Sequence, residues 1–306
     1  MTELSETILQ SWQVRKTKKQ KLAFIDFLKS QIPELTVEEG GLGHNRNLVV
    51  GDVSHAKVLL TAHYDTCAQL PFPNFITPKN MLFYLGYTLL IMIPFFILFP
   101  LLWRALEAVT SNFWLSYWGG FLLSMGLLLW LFMGGKPNEH TANDNTSGVI
   151  QLCELYAAMT PEQKSQVALV FFDNEENGLL GSAFFAKRHK KDNLKDKLVV
   201  NFDCVSDGDH LMFVLNKPAR KQYGEAAAAA FQTTESKTVC LEKSSSAFYP
   251  SDQANFPTSM AVAALKKKKL LGLYMDKIHT KHDRNFDREN IRFLTGGTLD
   301  LLDRIL

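Results

Sequence analysis

The sequence predicts an α/β fold with a mixed, largely parallel central sheet, helices on both faces of that sheet, and an inserted two-helix transmembrane hairpin. Two observations carry this prediction. Apolar, β-rich runs alternate with helical patterns along most of the chain, which is the order that builds sheets with parallel strands. One stretch, residues 81–133, contains only two charged residues, Arg104 and Glu107, although 21% of the whole chain is charged.

The composition of the 306-residue chain is that of an ordinary globular protein, with 46% hydrophobic residues. Such a composition excludes a disordered or collagen-like chain. The 33 Lys and Arg residues and the 31 Asp and Glu residues give a formal net charge of +2. Because nucleic-acid-binding proteins usually carry a strongly basic surface, we expect no nucleic-acid partner. The oligomeric state stays undefined by the sequence.

The elements follow one another in an order that fits a single discontinuous domain. Residues 1–30 are charged and amphipathic and do not resemble a signal peptide. Strands are predicted at residues 47–51, 57–62, 167–172, 198–202, 210–215 and 260–265. Helices are predicted at residues 147–159, 179–189, 217–232 and 289–306. We expect residues 1–80 and 134–306 to form one domain, into which residues 81–133 are inserted.

The inserted stretch has the length and composition of a membrane hairpin. Residues 81–103 and 113–133 are each uncharged, and a helix needs about 20 apolar residues to cross a bilayer. Trp103, Trp114 and Trp118 flank the predicted connection over residues 104–112, as interfacial aromatic residues do. The alternative is a pair of buried core helices in a soluble protein.

A hairpin predicts an integral protein of the cell membrane with the lipid bilayer as a partner. Since two crossings return the chain to the side on which it started, we expect the remaining domain to face the cytoplasm. Cys67, Cys153, Cys204 and Cys240 show no metal or redox spacing and are predicted to be reduced thiols.

Candidate catalytic and metal-ligating residues lie at the ends of predicted strands or in polar turns. They are His63, Asp65, Asp144, Glu175, Glu176, Asp203 and His279. Open α/β sheets bind ligands at the carboxyl ends of their strands. Each feature alone also fits a plain helix cap or an acidic loop. Together they predict a two-metal site, in which one carboxylate bridges the ions and further oxygen and nitrogen ligands complete each site.

In their order along the chain and in their residues, these motifs resemble those of the co-catalytic zinc exopeptidases of peptidase family twenty-eight. That family includes bacterial leucyl-type aminopeptidases and glutaminyl cyclases. The matching pieces are His63-x-Asp65-Thr66, Asn143-Asp144-Asn145, Glu175-Glu176-x-Gly178-x-x-Gly181-Ser182, Asp203 and Ile278-His279-Thr280. The resemblance covers the chain from about residue 47 to the C-terminus, apart from the hairpin.

The resemblance implies a ligand set for two zinc ions. His63 and Asp203 would hold one ion, Glu176 and His279 the other, and Asp144 would bridge both. It also implies two catalytic residues that are not ligands. Glu175 would be the general base, and Asp65 would orient the imidazole of His63, a support that metal-binding histidines usually need.

The function implied by the resemblance is that of a membrane-anchored zinc aminopeptidase acting on peptide substrates. A glutaminyl-peptide cyclase is the alternative with the same residues, although a cytoplasmic location argues against it. A catalytically inactive, peptidase-like membrane domain that binds a partner is the alternative from another class, but no ligand of the motif is missing. The chain departs from the family in its hairpin, which is inserted between His63 and Asp144.

Overall fold

Strands from both sides of the apolar insertion build one nine-stranded sheet in the computed structural model, which describes residues 1–306. The strands are β1 (Thr36–Gly40), β2 (Asn45–Val50), β3 (Val58–His63), β4 (Val167–Phe172), β5 (Leu198–Phe202), β6 (His210–Leu215), β7 (Thr238–Lys243), β8 (Ser259–Lys268) and β9 (Gly272–Tyr274). Their spatial order is β1-β2-β4-β3-β5-β8-β6-β7, and β9 pairs with β8. All six predicted strands are present, with small shifts at their ends.

The centre of the sheet is parallel and its flanks are mixed. Strands β4, β3, β5 and β8 pair in parallel, whereas β1 with β2, β2 with β4, and β6 with β8 pair antiparallel. The central strands β3, β4 and β5 are buried along their full length, as expected for strands covered on both faces. The predicted mixed sheet with a parallel centre is confirmed.

Nine α-helices accompany the sheet. They are α1 (Glu3–Ser11), α2 (Lys18–Gln31), α3 (Met81–Thr110), α4 (Phe113–Leu129), α5 (Gly148–Ala158), α6 (Pro161–Gln166), α7 (Leu180–Arg188), α8 (Lys217–Ala230) and α9 (Arg288–Ile305). Helices α1, α2, α5, α8 and α9 share one apolar core with the sheet. Phe185 of α7 packs in a second core on the opposite face, against Leu59 and Val170. Helices on both faces are therefore confirmed as well.

Helices α3 and α4 form the hairpin and differ in one respect from the prediction. Helix α3 continues through Arg104 and Glu107 to Thr110, so most of the predicted connection over residues 104–112 is helical. Both charged residues are good helix formers. The helix stops at Ser111, which has a left-handed backbone conformation, and the side chain of Asn112 then caps α4. A wide turn over Trp130–Gly134 extends α4.

The apolar residues of the hairpin are exposed. Both helical segments are long and apolar enough to cross a membrane, and only 6% of the most apolar stretch of α3 and 17% of that of Phe113–Gly134 are buried. A core helix of a soluble protein would be mostly buried. Exposure therefore speaks against a pair of core helices and leaves two candidate membrane spans.

The chain segments that lead into and out of the hairpin contact each other and the sheet domain. Ala68 forms a β-bridge with Pro137, and the N–H of Gln69 donates to the carbonyl of Lys136 at 2.8 Å. On the α3 side, the Asn80 amide donates to the carbonyl of Leu270 at 3.2 Å, in the turn between β8 and β9. The segments before and after the hairpin are therefore paired with each other, and the start of α3 is attached separately to the β8–β9 turn.

Candidate metal centre

The predicted site residues meet at one edge of the sheet because their strands are neighbours. Strand β3 ends at His63, β4 leads into the loop of Glu175 and Glu176, and β5 ends just before Asp203. Since β4, β3 and β5 are adjacent and parallel, their carboxyl ends lie side by side. The turn with Asp144, over Ala142–Ser147, and the loop with His279 complete this cluster.

His63, Asp144 and Asp203 form the more buried half of the cluster. The Nε2 atom of His63 lies 3.4 Å from Oδ1 of Asp144 and 3.5 Å from Oδ1 of Asp203. All three residues are almost completely buried. One donor atom from each lies within 4.8 Å of the others, a spacing that a single metal ion can bridge.

His279 and Glu176 form the other half and share the same aspartate. The Nε2 atom of His279 lies 2.9 Å from Oδ2 of Asp144 and 3.2 Å from Oε2 of Glu176. The two oxygens of Asp144 therefore face different histidines. This half is also the more accessible one, because the side chain of His279 is 22% exposed.

The turn that carries Asp144 is fixed by side chains outside the ligand set. The carboxylate of Asp283 accepts the backbone N–H groups of Asn143 and Asp144, both at 2.9 Å. The side chain of Asn145 donates to the carbonyl of Phe202 at 3.0 Å, at the end of β5. These bonds tie the turn to the sheet and set the position of the Asp144 carboxylate.

Asp65 is placed behind His63 and also holds the acidic loop. Its Oδ1 accepts the N–H of Glu175 at 3.0 Å, and its Oδ2 accepts the N–H of Glu176 at 3.3 Å. The Nδ1 of His63 lies 3.1 Å from the backbone carbonyl of Asp65 and 3.6 Å from its carboxylate. The main chain of Asp65 is thus the nearer partner of the imidazole.

The charges in the cluster are suited to a cation. Burial raises the pKa of Glu175 and of Glu176 well above its usual value, and the charges of neighbouring acids add to this against the opposing effect of His63. Burial alone would lower the pKa of His63, but Glu175, Asp144 and Asp203 raise it well above its usual value. Buried Oε1 of Glu176 and buried Oδ1 of Asp203 have no hydrogen-bond partner. Since unpaired buried charge is costly, a bound divalent ion fits this donor set.

The structure also places Cys67 at the cluster, although the sequence analysis gave this cysteine no metal role. The Sγ of Cys67, a carboxylate oxygen of Glu176 and a ring nitrogen of His279 lie within 4.8 Å of one another. Burial, together with the charges of Glu176 and Asp144, raises the pKa of the Cys67 thiol well above its usual value. Its position four residues after His63 carried no recognisable metal spacing.

Two buried cations from the N-terminal segment also approach the site and were not predicted. Arg15 is fully buried and donates to the carbonyl of Tyr64 at 2.5 Å and to Oγ1 of Thr146 at 3.1 Å. Lys21 pairs with Asp173 at 2.5 Å, directly before the acidic loop. Both offset negative charge near the cluster, and no local pattern in the sequence announces them.

Asp252 is a further buried acid in this region. It is fully buried, and neither of its carboxylate oxygens has a hydrogen-bond partner. Burial raises its pKa to about 7. It follows β7 in a loop that the sequence analysis did not assign to the ligand set.

A cavity of about 530 Å³ opens next to the accessible half of the cluster. It is lined by residues 69–73 on one side and by residues from 276 to 282 on the other, the segment that contains His279. Leu70 joins these walls, since its N–H donates to the carbonyl of His279 at 2.7 Å. The volume is within the range of about 300–1,000 Å³ typical of ligand pockets.

Comparison with solved structures identifies similar folds. LapA aminopeptidase from Legionella pneumophila is 13% identical, with a TM-score of 0.58 over 99% of this chain and 68% of LapA. LapB from Legionella pneumophila is 11% identical, with a TM-score of 0.56 over 98% of this chain and 70% of LapB. At these identities the likeness concerns the fold. Comparison with curated proteins gives no match.

The family comparison covers the part of the chain that follows the hairpin. The model of peptidase family M28 matches residues 130–292, more than half of the chain. This segment contains Asp144, Glu175, Glu176, Asp203 and His279, while His63 and Asp65 lie before it. The resemblance read from the sequence is therefore confirmed at the level of the family. The chain belongs to peptidase family M28, and its α/β fold is similar to that of LapA aminopeptidase.

Proposed function

We propose that this protein is a membrane-anchored aminopeptidase that uses two zinc ions. The observation that carries the proposal is the position of Asp144, whose Oδ1 and Oδ2 face His63 and His279 at 3.4 and 2.9 Å. A carboxylate shared between two histidine-containing donor groups is the arrangement that a two-metal site requires. In this proposal residues 1–80 and 134–306 form the peptidase domain.

The ligands divide into two groups around Asp144. His63 and Asp203 would hold one ion, Glu176 and His279 would hold the other, and Asp144 would be shared between them. Bound zinc supplies Lewis acidity, which makes a water more acidic and a carbonyl carbon more electrophilic. The buried unpaired oxygens of Glu176 and Asp203 support their assignment as ligands.

Glu175 is the general base in this mechanism. Its carboxylate lies within 4.8 Å of donor atoms of His63 and Glu176, next to both ligand groups. It takes a proton from the attacking water as the water oxygen bonds to the carbonyl carbon of the scissile peptide. It then gives the proton to the leaving amine nitrogen as the C–N bond breaks. Asp65 keeps Glu175 in position through the hydrogen bond from its N–H.

Action at the N-terminus of a peptide is the finer part of the proposal. The ligand cluster is largely buried and opens on the side of Glu176 and His279, which leaves room for a chain end more readily than for the middle of a chain. The 530 Å³ cavity beside the loop of His279 is lined by the neighbouring residues Lys277 and Thr280 and would provide space for the substrate. The similar fold of LapA, an aminopeptidase, is consistent with this specificity.

The hairpin anchors the enzyme in the cell membrane, with the peptidase domain on the cytoplasmic side. Exposed apolar residues along α3 and α4 support contact with lipid. Lysines lie near the hairpin, where Lys79 and Lys136 flank it and β8 ends in a lysine run, Lys266–Lys268, just before the turn that contacts Asn80. Positive residues concentrate on the cytoplasmic side of membrane proteins. Four free cysteines also fit a reducing compartment.

The decisive experiment compares the wild-type chain with Glu175→Gln in detergent. A panel of aminoacyl chromogenic substrates and N-terminal glutaminyl peptides is assayed before and after chelation, and zinc content is measured in parallel. We expect cleavage that zinc restores after chelation. Loss of a general base costs about 100- to 10,000-fold in rate, while the zinc content of the variant should stay at the wild-type level.

Glu235→Gln is the matched control, because Glu235 lies in an exposed loop. Its activity should equal that of the wild type. Cyclisation of glutaminyl peptides without hydrolysis of any aminoacyl substrate would contradict the aminopeptidase proposal. Two bound zinc ions without either reaction would instead favour an inactive binding domain.

A further inference from the structure

Cys67 lies beside the accessible half of the metal centre. Asp144, Glu176 and His279 supply three donor groups there, and a catalytic zinc ion with three protein ligands can take up to two more ligands, of which one is water or substrate. The Sγ of Cys67 is within 4.8 Å of the donor atoms of both Glu176 and His279. Cys67 itself is 2% exposed, so the thiol faces the cluster and not solvent.

Backbone contacts hold Cys67 in this place independently of any ion. Its carbonyl accepts the N–H of Asn138 at 3.2 Å, and the side-chain amide of Asn138 lies 4.0 Å from Sγ. The same amide donates to the carbonyl of Thr280 at 3.0 Å, next to His279. The chain before the hairpin, the chain after it and the His279 loop are thereby joined around the sulfur.

The surroundings of the thiol favour a ligand over a simple packing residue. A cysteine that only fills space would be expected among apolar side chains. Here the neighbours are an imidazole and a carboxylate whose buried Oε1 has no hydrogen-bond partner. Thiolate, imidazole and carboxylate are the three ligand types that zinc combines in proteins.

We propose that Cys67 is the fourth protein ligand of the metal ion held by Asp144, Glu176 and His279. The proposal rests on the proposed two-metal function and deepens it. As the sulfur–metal bond forms, the S–H bond breaks and its proton passes to solvent. One ion of the pair would then have one sulfur ligand beside three oxygen and nitrogen donors, whereas the protein ligands of the other ion would be His63, Asp203 and Asp144. The two positions therefore differ in their preference for soft metals.

Cobalt(II) is the probe, because thiolate ligands give it a charge-transfer band in the near ultraviolet in addition to its visible bands. The full-length protein in detergent is stripped with chelator and titrated with cobalt. The wild type should show both kinds of band. Cys67→Ser should keep the visible bands and lose the charge-transfer band. Its affinity for the ion should fall by at least the roughly 10- to 100-fold seen when a residue that supports a metal ligand is changed.

Cys153→Ser is the matched control, since Cys153 is also buried but lies in the apolar core. Its spectrum should equal that of the wild type. A charge-transfer band that persists in Cys67→Ser, or that is absent from the wild type, overturns the ligand role of Cys67 and leaves the two-metal proposal intact. Absence of all cobalt bands from the wild type overturns both proposals. Because the wild-type spectrum alone can refute the assignment, the test does not depend on the folding of the variant.

Discussion

The Oδ1 atom of Asp65 accepts the backbone N–H of Glu175 at 3.0 Å, across the gap between the ends of β3 and β4. The second oxygen of Asp65 accepts the next N–H along the chain, that of Glu176, at 3.3 Å. One buried carboxylate therefore fixes the backbone of both the proposed base and a proposed ligand. Its influence on the site is positional and reaches beyond the neighbouring His63.

Asp65→Asn tests this relationship. In asparagine an NH2 group replaces one carboxylate oxygen, and this group cannot accept a hydrogen bond. One of the two contacts to the loop is therefore lost, and the Glu175–Glu176 loop shifts. We expect kcat/KM for an aminoacyl substrate to fall about 10- to 100-fold, together with zinc affinity, as with other residues that orient metal ligands. Enzyme kinetics and metal analysis check both effects.

The exposed Asp300 on α9 offers a matched control. Asp300→Asn should keep wild-type kinetics and zinc content. Wild-type kinetics in Asp65→Asn would show that the loop does not need this carboxylate.

Substitution of glycine by alanine is expected to have opposite effects at Gly120 and at Gly126 of α4. A Cβ atom on Gly120 would lie 2.7 Å from the backbone nitrogen of Trp103 in α3, whereas a Cβ on Gly126 would meet nothing within 4 Å. Gly120→Ala should therefore force the two helices apart, and overpacking typically costs about 1–3 kcal/mol. Gly126→Ala should leave stability unchanged or raise it, because alanine is the better helix former.

Thermal unfolding of both variants in the same detergent measures the difference. A lower Tm for Gly120→Ala alone supports the close packing of the hairpin. Equal Tm values would mean that α3 and α4 do not touch at Gly120 in solution.

Removal of the hairpin is expected to move the protein from the membrane fraction to the soluble fraction of the cell. The full chain should sediment with membranes and resist alkaline carbonate, because its exposed apolar helices then lie in the bilayer. A variant in which a Gly-Ser linker replaces residues 81–133 should appear in the soluble fraction, because its exposed apolar helices are absent, while Gln69 and Lys136 keep the flanking segments paired. Immunoblots of the fractions check this. Recovery of the full chain in the soluble fraction would contradict the anchor.

His189 predicts a pH dependence of stability away from the metal centre. Its Nδ1 pairs with Asp192 at 2.6 Å and its Nε2 with Glu38 at 3.0 Å. Burial alone would lower the pKa of His189, but these two acids raise it above its usual value. A raised pKa in the folded state means that the stabilisation is complete below about pH 6.5, the usual histidine pKa. It is lost as the pH rises through the folded-state value.

The measurement compares denaturant unfolding of the wild type and His189→Gln from about pH 6 to pH 9. At the acidic end the wild type should have a larger free energy of unfolding than His189→Gln, and this difference should shrink as the pH rises. His55→Gln is the control, because His55 is highly exposed. An advantage that grows with pH would contradict the ion pairs of His189.

The strands that the sequence predicts are those that lie in the buried core. Strands such as Val167–Phe172 and Leu198–Phe202 are fully buried and read as apolar runs. Strands β1 and β7 lie at the two edges of the sheet, where their residues are half-buried or exposed. Their sequences therefore lack an apolar pattern, and neither was predicted.

The site divides in the same way. The predicted ligands lie at strand ends or in recognisable motifs, so the sequence identifies them as candidates. In the structure they lie close together; they are His63, Asp144, Glu176, Asp203 and His279. Cys67 and Asp283 reach the cluster only because the chain pairs with itself at the base of the hairpin and around the 142–147 turn. Contacts of that kind depend on tertiary packing, which no local pattern encodes.

The bridge between Ala68 and Pro137 joins the segments on either side of the hairpin, one residue after Cys67. An apolar helix longer than the hydrocarbon layer tilts to fit it, and the uncharged part of α3, residues 81–103, is slightly longer than the roughly 20 residues that a crossing needs. In a thin bilayer an inserted hairpin must tilt further than in a thick one. We therefore expect membrane thickness to affect the enzyme, because a change in the tilt of the hairpin would act on the loop of Cys67 and, through Asn138, on the loop of His279.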